Sequence, residues 1–283
     1  MTFSAFRRYV QAASTVLSNS CISSLYYRTV NTNALKGFCV PFLNCYACPT
    51  AACSCPAGAL QHFMAIHTIP YYVIGFLALV GLTIGRMACG WLCPFGFFQD
   101  LMYKIKSRKF AIPYSRYLPY VKYAVLVCLV LIVPFYSGVP WFSKLCPMGT
   151  LTAGLPWVMW NPVSPATGQP VLSDGPGLFF VFKVFMLIGF LAWFVVSKRP
   201  FCKVACPVGA IFSLFNRYSL VRLSVGRSCS GCDKCKVICP MDLNVAMDFE
   251  SGDCIRCLEC TRCGHVQVTA PLLLQKEVQQ THG

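Results

Sequence analysis

Residues 229–240 are Cys-Ser-Gly-Cys-Asp-Lys-Cys-Lys-Val-Ile-Cys-Pro, and residues 254–263 are Cys-Ile-Arg-Cys-Leu-Glu-Cys-Thr-Arg-Cys. Two residues between the first three cysteines of each run let a short loop offer three thiolates to one 4Fe-4S cubane, and the fourth thiolate comes from the other run. Pro240 then turns the chain away from the cluster. The spacing predicts two clusters. Their ligands would be Cys229, Cys232, Cys235, Cys239, Cys254, Cys257, Cys260 and Cys263.

A pair of zinc knuckles and a set of disulfides are the other interpretations of these runs. A zinc site needs four ligands and rarely takes three cysteines from so short a stretch, whereas two cubanes use all eight. The runs therefore favour a C-terminal α+β domain of the two-cluster ferredoxin-like type over residues 218–271, followed by a polar tail over residues 272–283.

The rest of the chain has the composition of a membrane protein. Of its 283 residues, 56% are hydrophobic and 12% are charged, whereas about a quarter of the residues of a soluble domain are charged. The net charge is +15, but a nucleic-acid face needs basic residues clustered on a soluble domain, and here they lie beside apolar segments. The composition predicts contact with a lipid membrane and no nucleic-acid partner.

Four segments are candidates for membrane-spanning helices, because a helix needs about 20 apolar residues to cross a bilayer. Three that meet this length are residues 70–88, 120–140 and 178–197. Residues 9–27 are richer in serine, but Arg7 and Arg8 would hold their start in the cytoplasm; a helix lying at the membrane surface is the alternative. The predicted fold class is an all-α membrane protein with four transmembrane helices in residues 1–217.

The basic residues predict the sides of this fold. The connector over residues 89–118 holds five lysines and arginines and the chain from residue 197 onward holds eleven, whereas residues 140–177 hold Lys144 alone. Lysine and arginine are enriched in cytoplasmic segments. The pattern predicts a multi-pass membrane protein with both termini in the cytoplasm and with residues 28–69 and 140–177 outside.

The element Cys-Pro-x-Gly occurs four times. The copies at Cys93 and Cys206 have a second cysteine four residues earlier, at Cys89 and Cys202. Both pairs fall at predicted cytoplasmic ends of spans, so together they supply the four thiolates that a cubane needs. The sequence predicts a 4Fe-4S cluster at the inner membrane surface, with disulfides as the alternative.

The other two copies, at Cys55 and Cys146, fall in the predicted outer segments. With two cysteines that precede Cys55, they form a candidate set for a second membrane cluster; disulfides in an oxidising compartment are the alternative. The ligands of this set would be Cys45, Cys48, Cys55 and Cys146, with Cys39 and Cys53 as alternatives. We expect Cys21 and Cys128, which stand alone, to be ordinary buried small residues.

These motifs resemble those of the polyferredoxin membrane proteins of the NapH type, the quinol dehydrogenase subunit of periplasmic nitrate reductase systems. They are also similar to the membrane parts of NosR and of the cytochrome oxidase assembly ferredoxins. The resemblance covers residues 35–270 and is carried by residues 89–96, residues 199–210 and the eight-cysteine tail. The resemblance implies four spans in a prokaryotic inner (plasma) membrane, with both termini in the cytoplasm. It also implies electron transfer between a quinol pool or a soluble donor and a partner reductase.

The second cysteine run departs from the family pattern. Family members usually place three residues before a final Cys-Pro, but here only Thr261 and Arg262 precede Cys263, and Gly264 follows. In the family's usual crossover, Cys229, Cys232 and Cys235 would share Cys263, while Cys254, Cys257 and Cys260 would share Cys239. We expect the cluster that uses Cys263 to be the less secure of the two.

The predicted function is electron transfer between a quinol pool or a cytoplasmic ferredoxin and a partner reductase, as a subunit of an oxidoreductase complex. The alternative is a membrane-anchored redox sensor or assembly factor that reduces a metal or a maturing enzyme. No dinucleotide-binding or phosphate-binding loop is present, and no catalytic residue is predicted. If a quinol is oxidised here, the candidates for its proton acceptor are His62, His67 and Lys183.

Basic residues have two further predicted roles. Lys234 and Lys236 make the tail moderately basic, which suits an acidic ferredoxin or flavodoxin because opposite charges speed association; lipid contact is the alternative. Arg86, Arg199 and Lys203 lie beside the inner cysteines and would stabilise a reduced cluster. The simpler interpretation of these three is that they anchor helix ends at the membrane surface.

Overall fold

The computed structural model describes residues 3–27, 31, 33–109, 118–161, 168–169, 177–226, 229, 232, 234–245, 248 and 251–269. In its first half the helices are α1 (Phe3–Ser18), α2 (Ser23–Tyr26), a 3-10 turn (Ala34–Gly37), α3 (Pro56–Ala65), α4 (Tyr71–Thr83), α5 (Met87–Trp91) and α6 (Pro94–Met102). The polar tail predicted for residues 272–283 lies outside the described residues.

The second half is also mainly helical. Its helices are α7 (Leu118–Ala124), a π-helical segment (Val125–Ile132), α8 (Val133–Ser137), α9 (Trp141–Leu145), α10 (Pro147–Gly149), a second π-helical segment (Thr150–Gly154), α11 (Leu155–Trp160), α12 (Leu178–Val196), α13 (Pro200–Val204), α14 (Pro207–Phe215), α15 (Lys234–Ile238) and a 3-10 turn (Glu259–Cys263). Its strands are β1 (Arg222–Val225) and β2 (Val266–Thr269).

Two helices of the described chain are long and apolar enough to cross a membrane. Helix α7, the π-helical segment and α8 form one helix of 20 residues, Leu118–Ser137, with a mean hydropathy of 2.1, and α12 has 19 residues and a mean hydropathy of 2.5. Only 22% and 11% of their apolar windows are buried inside the protein, so most of this apolar surface faces outward, as contact with lipid requires. The long apolar helices predicted over residues 120–140 and 178–197 are confirmed.

The helix predicted over residues 70–88 stops earlier, at Thr83. Gly85 has a φ of 57°, the left-handed conformation in which helices often end. The backbone N–H of Arg86 donates to Asn216 Oδ1 at 3.2 Å, and α5 then begins at Met87. A contact with the end of α14 therefore decides where α4 ends. With 13 residues, α4 is a shorter apolar helix, about 20 Å long.

The helix predicted over residues 9–27 is displaced towards the N-terminus. Helix α1 ends at Ser18, where Asn19 Nδ2 donates to the Thr15 carbonyl at 3.1 Å and the Ala52 N–H donates to the Ser18 carbonyl at 2.9 Å. These donors occupy carbonyls that another helical turn would need, so they end the helix. Crossing of a membrane by α1 and α4 stays a prediction.

Both α1 and α4 nevertheless connect the same two ends of the protein as the long helices. Arg7, near the start of α1, lies 3.3 Å from Glu259 of the C-terminal segment, whereas the last turn of α1 contacts Ala52. At the end of α4, the Thr83 carbonyl accepts a hydrogen bond from the Leu220 N–H, and residues at its start line a cavity with Cys39. The fold therefore has two cysteine-rich ends with helices running between them.

A two-stranded antiparallel sheet closes the C-terminal segment. Strand β1 pairs with β2 so that Arg222 faces Thr269 and Val225 faces Val266. The strands bring together the two ends of the segment that carries the eight tail cysteines. Leu223 of β1 and Val266 of β2 are buried. The two-cluster ferredoxin-like architecture of residues 218–271 stays a prediction.

Candidate functional site

Cys93 and Cys206 occupy the same local position in two repeated turns. Each is the last residue before a helix, α6 or α14, that begins with proline. The backbone N–H of Gly96 donates to Cys93 Sγ at 3.4 Å, and that of Gly209 donates to Cys206 Sγ at 3.3 Å. The first N–H groups of a helix have no partner in the helix and carry partial positive charge. The turn therefore favours a thiolate at its cysteine.

The structure brings the four cysteines of these two motifs together. This inner group consists of Cys89, Cys93, Cys202 and Cys206. All four are buried, and each sulfur is close enough to the other three to interact with them electrostatically. Burial, reinforced by the neighbouring thiols, raises the pKa of the Cys93 thiol to about 12. The group supplies the number of thiolates that one 4Fe-4S cluster needs.

Arg86 and Arg199 join the two motifs by reciprocal contacts. Arg86 stands three residues before Cys89 in the sequence, but its Nη2 donates to the Cys202 carbonyl at 3.2 Å. Arg199 stands three residues before Cys202, but its Nη1 donates to the Cys89 carbonyl at 3.1 Å. Each motif therefore supplies the guanidinium that holds the other motif.

The glycines of the two turns leave room for these guanidinium groups. A Cβ on Gly209 would lie 2.9 Å from Arg86 Nη2, and a Cβ on Gly96 would lie 3.2 Å from Arg199 Nη1. Both arginines are fully buried. The interpretation of these two as anchors at the membrane surface is corrected, because their charges lie inside the protein.

Carboxylates balance the charge of both arginines. Arg199 binds Asp100 through two hydrogen bonds of 2.7 and 2.5 Å. Arg86 Nη1 lies 2.7 Å from Asp253 Oδ1, and Lys122 also pairs with Asp253. Buried charges are stable only when paired and hydrogen-bonded, so these two carboxylates are what the buried cations require. No signal in the local sequence indicated these pairs.

A second group of four cysteines forms in the C-terminal segment. This tail group consists of Cys239, Cys254, Cys257 and Cys260, the set that the family resemblance implied for one cluster. Each sulfur is close enough to the other three to interact with them electrostatically. Burial raises the pKa of the Cys257 thiol to about 12, and Arg7 opposes that rise. The tail group is thus a second assembly of four thiols.

The loop that carries the tail group packs directly on the inner motif. A Cβ on Gly90 would lie only 2.3 Å from the Ile255 carbonyl oxygen, which real Cβ atoms do not approach so closely, so only glycine fits here. Trp91 Nε1 donates to the Arg256 carbonyl at 3.0 Å. The residues between Cys89 and Cys93 therefore form the surface on which the tail loop lies.

Two more contacts hold the tail group against the inner group. Asn216 Nδ2 donates to the Cys254 carbonyl at 3.0 Å. Lys203, which follows Cys202 in the sequence, is buried and pairs with Asp242. The prediction that Lys203 anchors a helix end is corrected in the same way as that for the arginines.

The remaining tail cysteines are placed less completely. Cys235 is buried, Cys232 is exposed, and Cys229 and Cys263 are half-buried. Helix α15, which carries Cys235, packs against the 3-10 turn that ends at Cys263. Several residues between these cysteines lie outside the described residues, so their convergence on one cluster stays a prediction.

At the opposite end of the protein, three cysteines line one cavity. This outer group consists of Cys45, Cys55 and Cys146. Burial raises the pKa of the Cys45 and Cys146 thiols to about 12, and a Cβ on Gly149 would lie 3.5 Å from Cys45 Sγ. The cavity is narrow, about 20 Å³. The outer group therefore holds three thiols together and leaves little space between them.

The structure does not decide the fourth thiol of this end. Cys48 interacts electrostatically with Cys45, but it contacts Thr50 Oγ1 at 3.1 Å and lines a different cavity. Cys39 interacts with Cys55 and with Cys53. Cys48, Cys39 and Cys53 all stay candidates.

Neither of the two cysteines that were expected to be buried is buried. Cys21 is half-buried near the outer end, accepts a hydrogen bond from Asn31 Nδ2 at 2.9 Å and interacts electrostatically with Cys53. Cys128 is exposed on the long helix. The prediction of burial fails because Cys21 follows the end of α1 and Cys128 lies on the outward side of its helix.

The cysteine groups fit iron-sulfur clusters better than the alternatives. All twenty cysteines lie among the described residues, and no disulfide joins any two of them. Among the described residues, no three His, Cys, Asp or Glu side chains are close enough to hold a single metal ion. A zinc knuckle gathers its ligands around one ion, whereas a cubane takes each thiolate at a different iron and so needs wider spacing. The N–H groups at the sulfurs and the buried guanidinium groups suit a negatively charged cluster at the inner and tail groups.

The predicted proton acceptors lie near the outer end. His62 lines a cavity of about 610 Å³ with Cys39 and Tyr46. His67 does not line that cavity, and its ring lies 4.5 Å from that of Phe135. Lys183 is close enough to the outer group to interact electrostatically with Cys45 and Cys146. His62 is therefore the candidate that combines a cavity with a neighbouring cysteine.

Comparison with known proteins identifies the domain that holds the inner group. Residues 66–113 and 178–228 match the family described as 4Fe-4S binding domain. The first segment contains Cys89 and Cys93 and the second contains Cys202 and Cys206, so each contains one of the paired motifs. No solved structure matches the chain.

Curated relatives include named ferredoxin-type proteins. The chain is 29% identical over 225 residues to the uncharacterized protein MJ0750 of Methanocaldococcus jannaschii. This alignment spans 75% of this chain and 83% of MJ0750. It is 28% identical to the methylamine utilization ferredoxin-type protein MauN of Methylorubrum extorquens, over 70% of this chain and 59% of MauN. It is 24% identical to the ferredoxin-type protein NapH of Escherichia coli, over 64% of this chain and 60% of NapH. The predicted resemblance to the NapH-type ferredoxin proteins is confirmed by these matches.

Proposed function

We propose that this protein is a membrane-bound iron-sulfur electron-transfer protein that passes electrons between a quinol pool or a cytoplasmic ferredoxin and a partner reductase. The relatives named as ferredoxin-type proteins support iron-sulfur electron transfer. Quinol, reductase and direction are the finer parts of the proposal. When bound, each 4Fe-4S cluster would supply a centre that accepts and releases one electron.

The contact between the inner group and the tail group carries the proposal. Gly90 lies directly on the Ile255 carbonyl, and these residues adjoin Cys89 and Cys254 respectively. Electron transfer between centres requires that they be close, and this contact leaves no intervening layer of side chains at that point. A protein in which the tail were only a tethered soluble carrier would not need a glycine there.

The membrane arrangement follows from the helices that join the two ends. We propose that the helices Leu118–Ser137 and Leu178–Val196 cross the bilayer together with α1 and α4, and that both termini are cytoplasmic. Helix α4 is about 20 Å long, shorter than the roughly 30 Å hydrocarbon core. The outer group would then lie at the depth of the outer lipid headgroups or below them.

Iron and acid-labile sulfide content of the anaerobically purified protein tests the proposal. Four cubanes with four irons each would give about sixteen irons per chain, and two confined to the tail would give about eight. Electron paramagnetic resonance after stepwise reduction counts the centres. Fewer than about eight irons would overturn the proposal, and about eight would mean that only two of the four cysteine groups bind a cluster.

We propose that a quinol binds in the cavity beside the outer group. A ligand cavity is typically apolar with a few polar groups that fix orientation, and here His62 and Tyr46 supply polar groups next to Cys39. His62 would accept a proton as the quinol is oxidised, because histidine is the side chain that most often acts as a general base. His67 offers a matched control on the same segment.

Reduction of the clusters by a menaquinol analogue in detergent or liposomes tests this part. We expect His62→Gln to slow reduction by quinol about 100-fold, the scale of one general base, without changing reduction by dithionite. His67→Gln should leave both rates unchanged. Equal rates in the wild type and His62→Gln would exclude His62 as the proton acceptor.

At the other end, we propose that an acidic ferredoxin or flavodoxin docks beside α15. Lys234, Lys236 and Val237 are exposed around the buried Cys235, so charge and apolar surface lie next to the predicted tail cluster. Opposite charges speed association, and salt screens that effect. Charge reversal at Lys234 and Lys236 should lower the rate of electron exchange with an acidic ferredoxin at low salt and have little effect at high salt, whereas lipid contact alone predicts no change in that rate.

A further inference from the structure

Arg7 is buried, although its place before an apolar segment predicts a charge exposed at the membrane surface. It lies near the start of α1 and is 6% exposed, whereas the next residue, Arg8, is exposed. Its Nη2 lies 3.3 Å from Glu259 Oε1 and 3.6 Å from Asp100 Oδ2. Removing a guanidinium from water costs free energy. An arginine whose only role was to orient α1 in the membrane would stay exposed, so the burial of Arg7 indicates a further role.

The remaining donors of Arg7 are available to the tail group. Its Nε and Nη1 are buried and have no hydrogen-bond partner among the residues that the structure describes. Arg7 interacts electrostatically with Cys257, and Glu259, its ion-pair partner, begins the 3-10 turn that carries Cys260. Hydrogen bonds from a charged donor to a charged acceptor are the strong ones. The unpaired donors therefore lie beside sulfur that would become negatively charged on binding iron.

Asp100 extends this contact to the inner group. Its carboxylate also binds Arg199, whose Nη1 donates to the Cys89 carbonyl. Arg7, Asp100 and Arg199 thus form a line of charged side chains from the tail group to the inner group. Asp100 is shared with Arg199, and Glu259 is shared with Arg262. Because neither carboxylate pairs with Arg7 alone, part of the positive charge of Arg7 remains for the tail group.

We propose that Arg7 is a positioning residue that donates hydrogen bonds to the sulfur atoms of the tail-group cluster and raises the reduction potential of that cluster. The inference rests on the proposed cluster at Cys239, Cys254, Cys257 and Cys260. The reduced cluster carries one more negative charge than the oxidised one, so a buried cation beside it stabilises the reduced form more. Helix α1 would in this way set the potential of a centre in the C-terminal segment.

Redox titration followed by electron paramagnetic resonance tests the inference on the anaerobically purified full chain. We compare the wild type with Arg7→Met, which keeps a long side chain but loses charge and donors, and with Arg8→Met as the matched control on the same helix. We expect one cluster of Arg7→Met to titrate at a lower potential while the others and the iron content are unchanged. Arg8→Met should titrate like the wild type.

Each outcome separates this inference from the proposed function. If the wild type binds iron at all sites and Arg7→Met titrates identically with full iron content, Arg7 does not set a potential, and the inference is overturned while the clusters stand. If the wild type lacks the tail cluster, the proposed function itself fails. If Arg7→Met loses iron, Arg7→Gln, which keeps an amide donor for Glu259, is titrated instead; the same fall in potential supports the inference, and an unchanged potential overturns it.

Discussion

The inner group and the outer group begin from the same Cys-Pro-x-Gly turn, yet their surroundings differ. At the inner group, Arg86 and Arg199 each donate a hydrogen bond to a carbonyl of the other motif. The tail loop packs on this pair of motifs, next to the four buried thiols. At the outer group, three thiols line a cavity of about 20 Å³, and the cations that interact electrostatically with Cys45 are two lysines, Lys36 and Lys183. The turn fixes the position of one cysteine immediately before a helix. Reciprocal contacts between two turns are what complete a set of four.

The largest effect on iron content and electron flow should come from replacing one cysteine of the inner group or one cysteine of the outer group. We expect Cys206→Ala to remove about four irons and to stop electron flow between the tail clusters and the outer end, because the inner cluster stands between them. Cys146→Ala should also remove about four irons if the outer group holds a cluster, but should leave the tail and inner clusters in electronic contact. Iron analysis and stopped-flow reduction measure both.

Each variant tests one of the two groups independently of the other. Unchanged iron in Cys146→Ala would mean that the outer thiols bind no cluster. Unchanged electron flow in Cys206→Ala would remove the inner group from the path and would end the proposal of transfer through the membrane.

The reactivity of thiols after iron removal should be equally low at both ends. The pKa of Cys93 and of Cys146 is raised from 9.0 to about 12 by burial, and the thiolate is the reactive form. At pH 8, each should therefore be alkylated about 1000-fold more slowly than an ordinary thiol, a ratio of about three pKa units. Mass spectrometry of the chelator-treated protein after iodoacetamide gives the rates.

A short water-soluble peptide that contains one cysteine serves as the standard for alkylation. Similar slow rates at Cys93 and Cys146 would show that the two ends differ in their cations and not in their burial. A fast reaction at Cys146 alone would show instead that the outer end opens to water when iron is absent.

Loss of the carboxylate beneath the inner group should destabilise that end. Asp253→Asn would leave Arg86 and Lys122, both fully buried, without their shared counter-charge, and breaking a buried ion pair in this way costs about 3–5 kcal/mol. We expect a lower melting temperature in detergent, followed by loss of cluster absorbance. Asp242→Asn is the control, because Asp242 is more exposed and its loss should lower the melting temperature less. An equal fall in melting temperature would mean that the two ion pairs contribute equally to stability.

A single methyl group should disturb the contact between the inner group and the tail. Gly90→Ala puts a Cβ 2.3 Å from the Ile255 carbonyl, and forcing an extra carbon into such packing costs about 1–3 kcal/mol. We expect slower electron exchange between tail and inner clusters with full iron content. Gly189→Ala, where the added Cβ meets nothing within 4 Å, should leave exchange unchanged, and equal behaviour of the two variants would refute the contact as the route.

Much of the fold was predictable because long apolar segments and cysteine spacing are local signals. The helices over residues 118–137 and 178–196 were predicted within a few residues, and the paired motifs were recognised as one site before their convergence was visible. The ends of α1 and α4 were not, since both are set by distant partners: Ala52 at Ser18, and Asn216 at Arg86. Polar groups that cap a helix from another part of the chain leave no local pattern.

The same limit explains what was missed around the thiols. Three basic residues beside the inner cysteines were interpreted as surface anchors, because a basic residue at the end of an apolar segment is usually exposed. Their burial depends on Asp100, Asp253 and Asp242, and two of those carboxylates lie in the C-terminal segment. Nothing near Arg86 in the sequence marks a partner 167 residues away.

The amino-acid sequence alone indicates which cysteines are candidate iron ligands, how they are spaced within each short run, and which segments are apolar enough to cross a membrane. These properties depend on side-chain type and on neighbours within a few residues. The tertiary structure decided which runs meet, where buried guanidinium groups lie, and that the tail packs on Gly90. Those outcomes depend on charge pairing and on close packing between segments far apart in the chain, and each is stable only when both partners are in place.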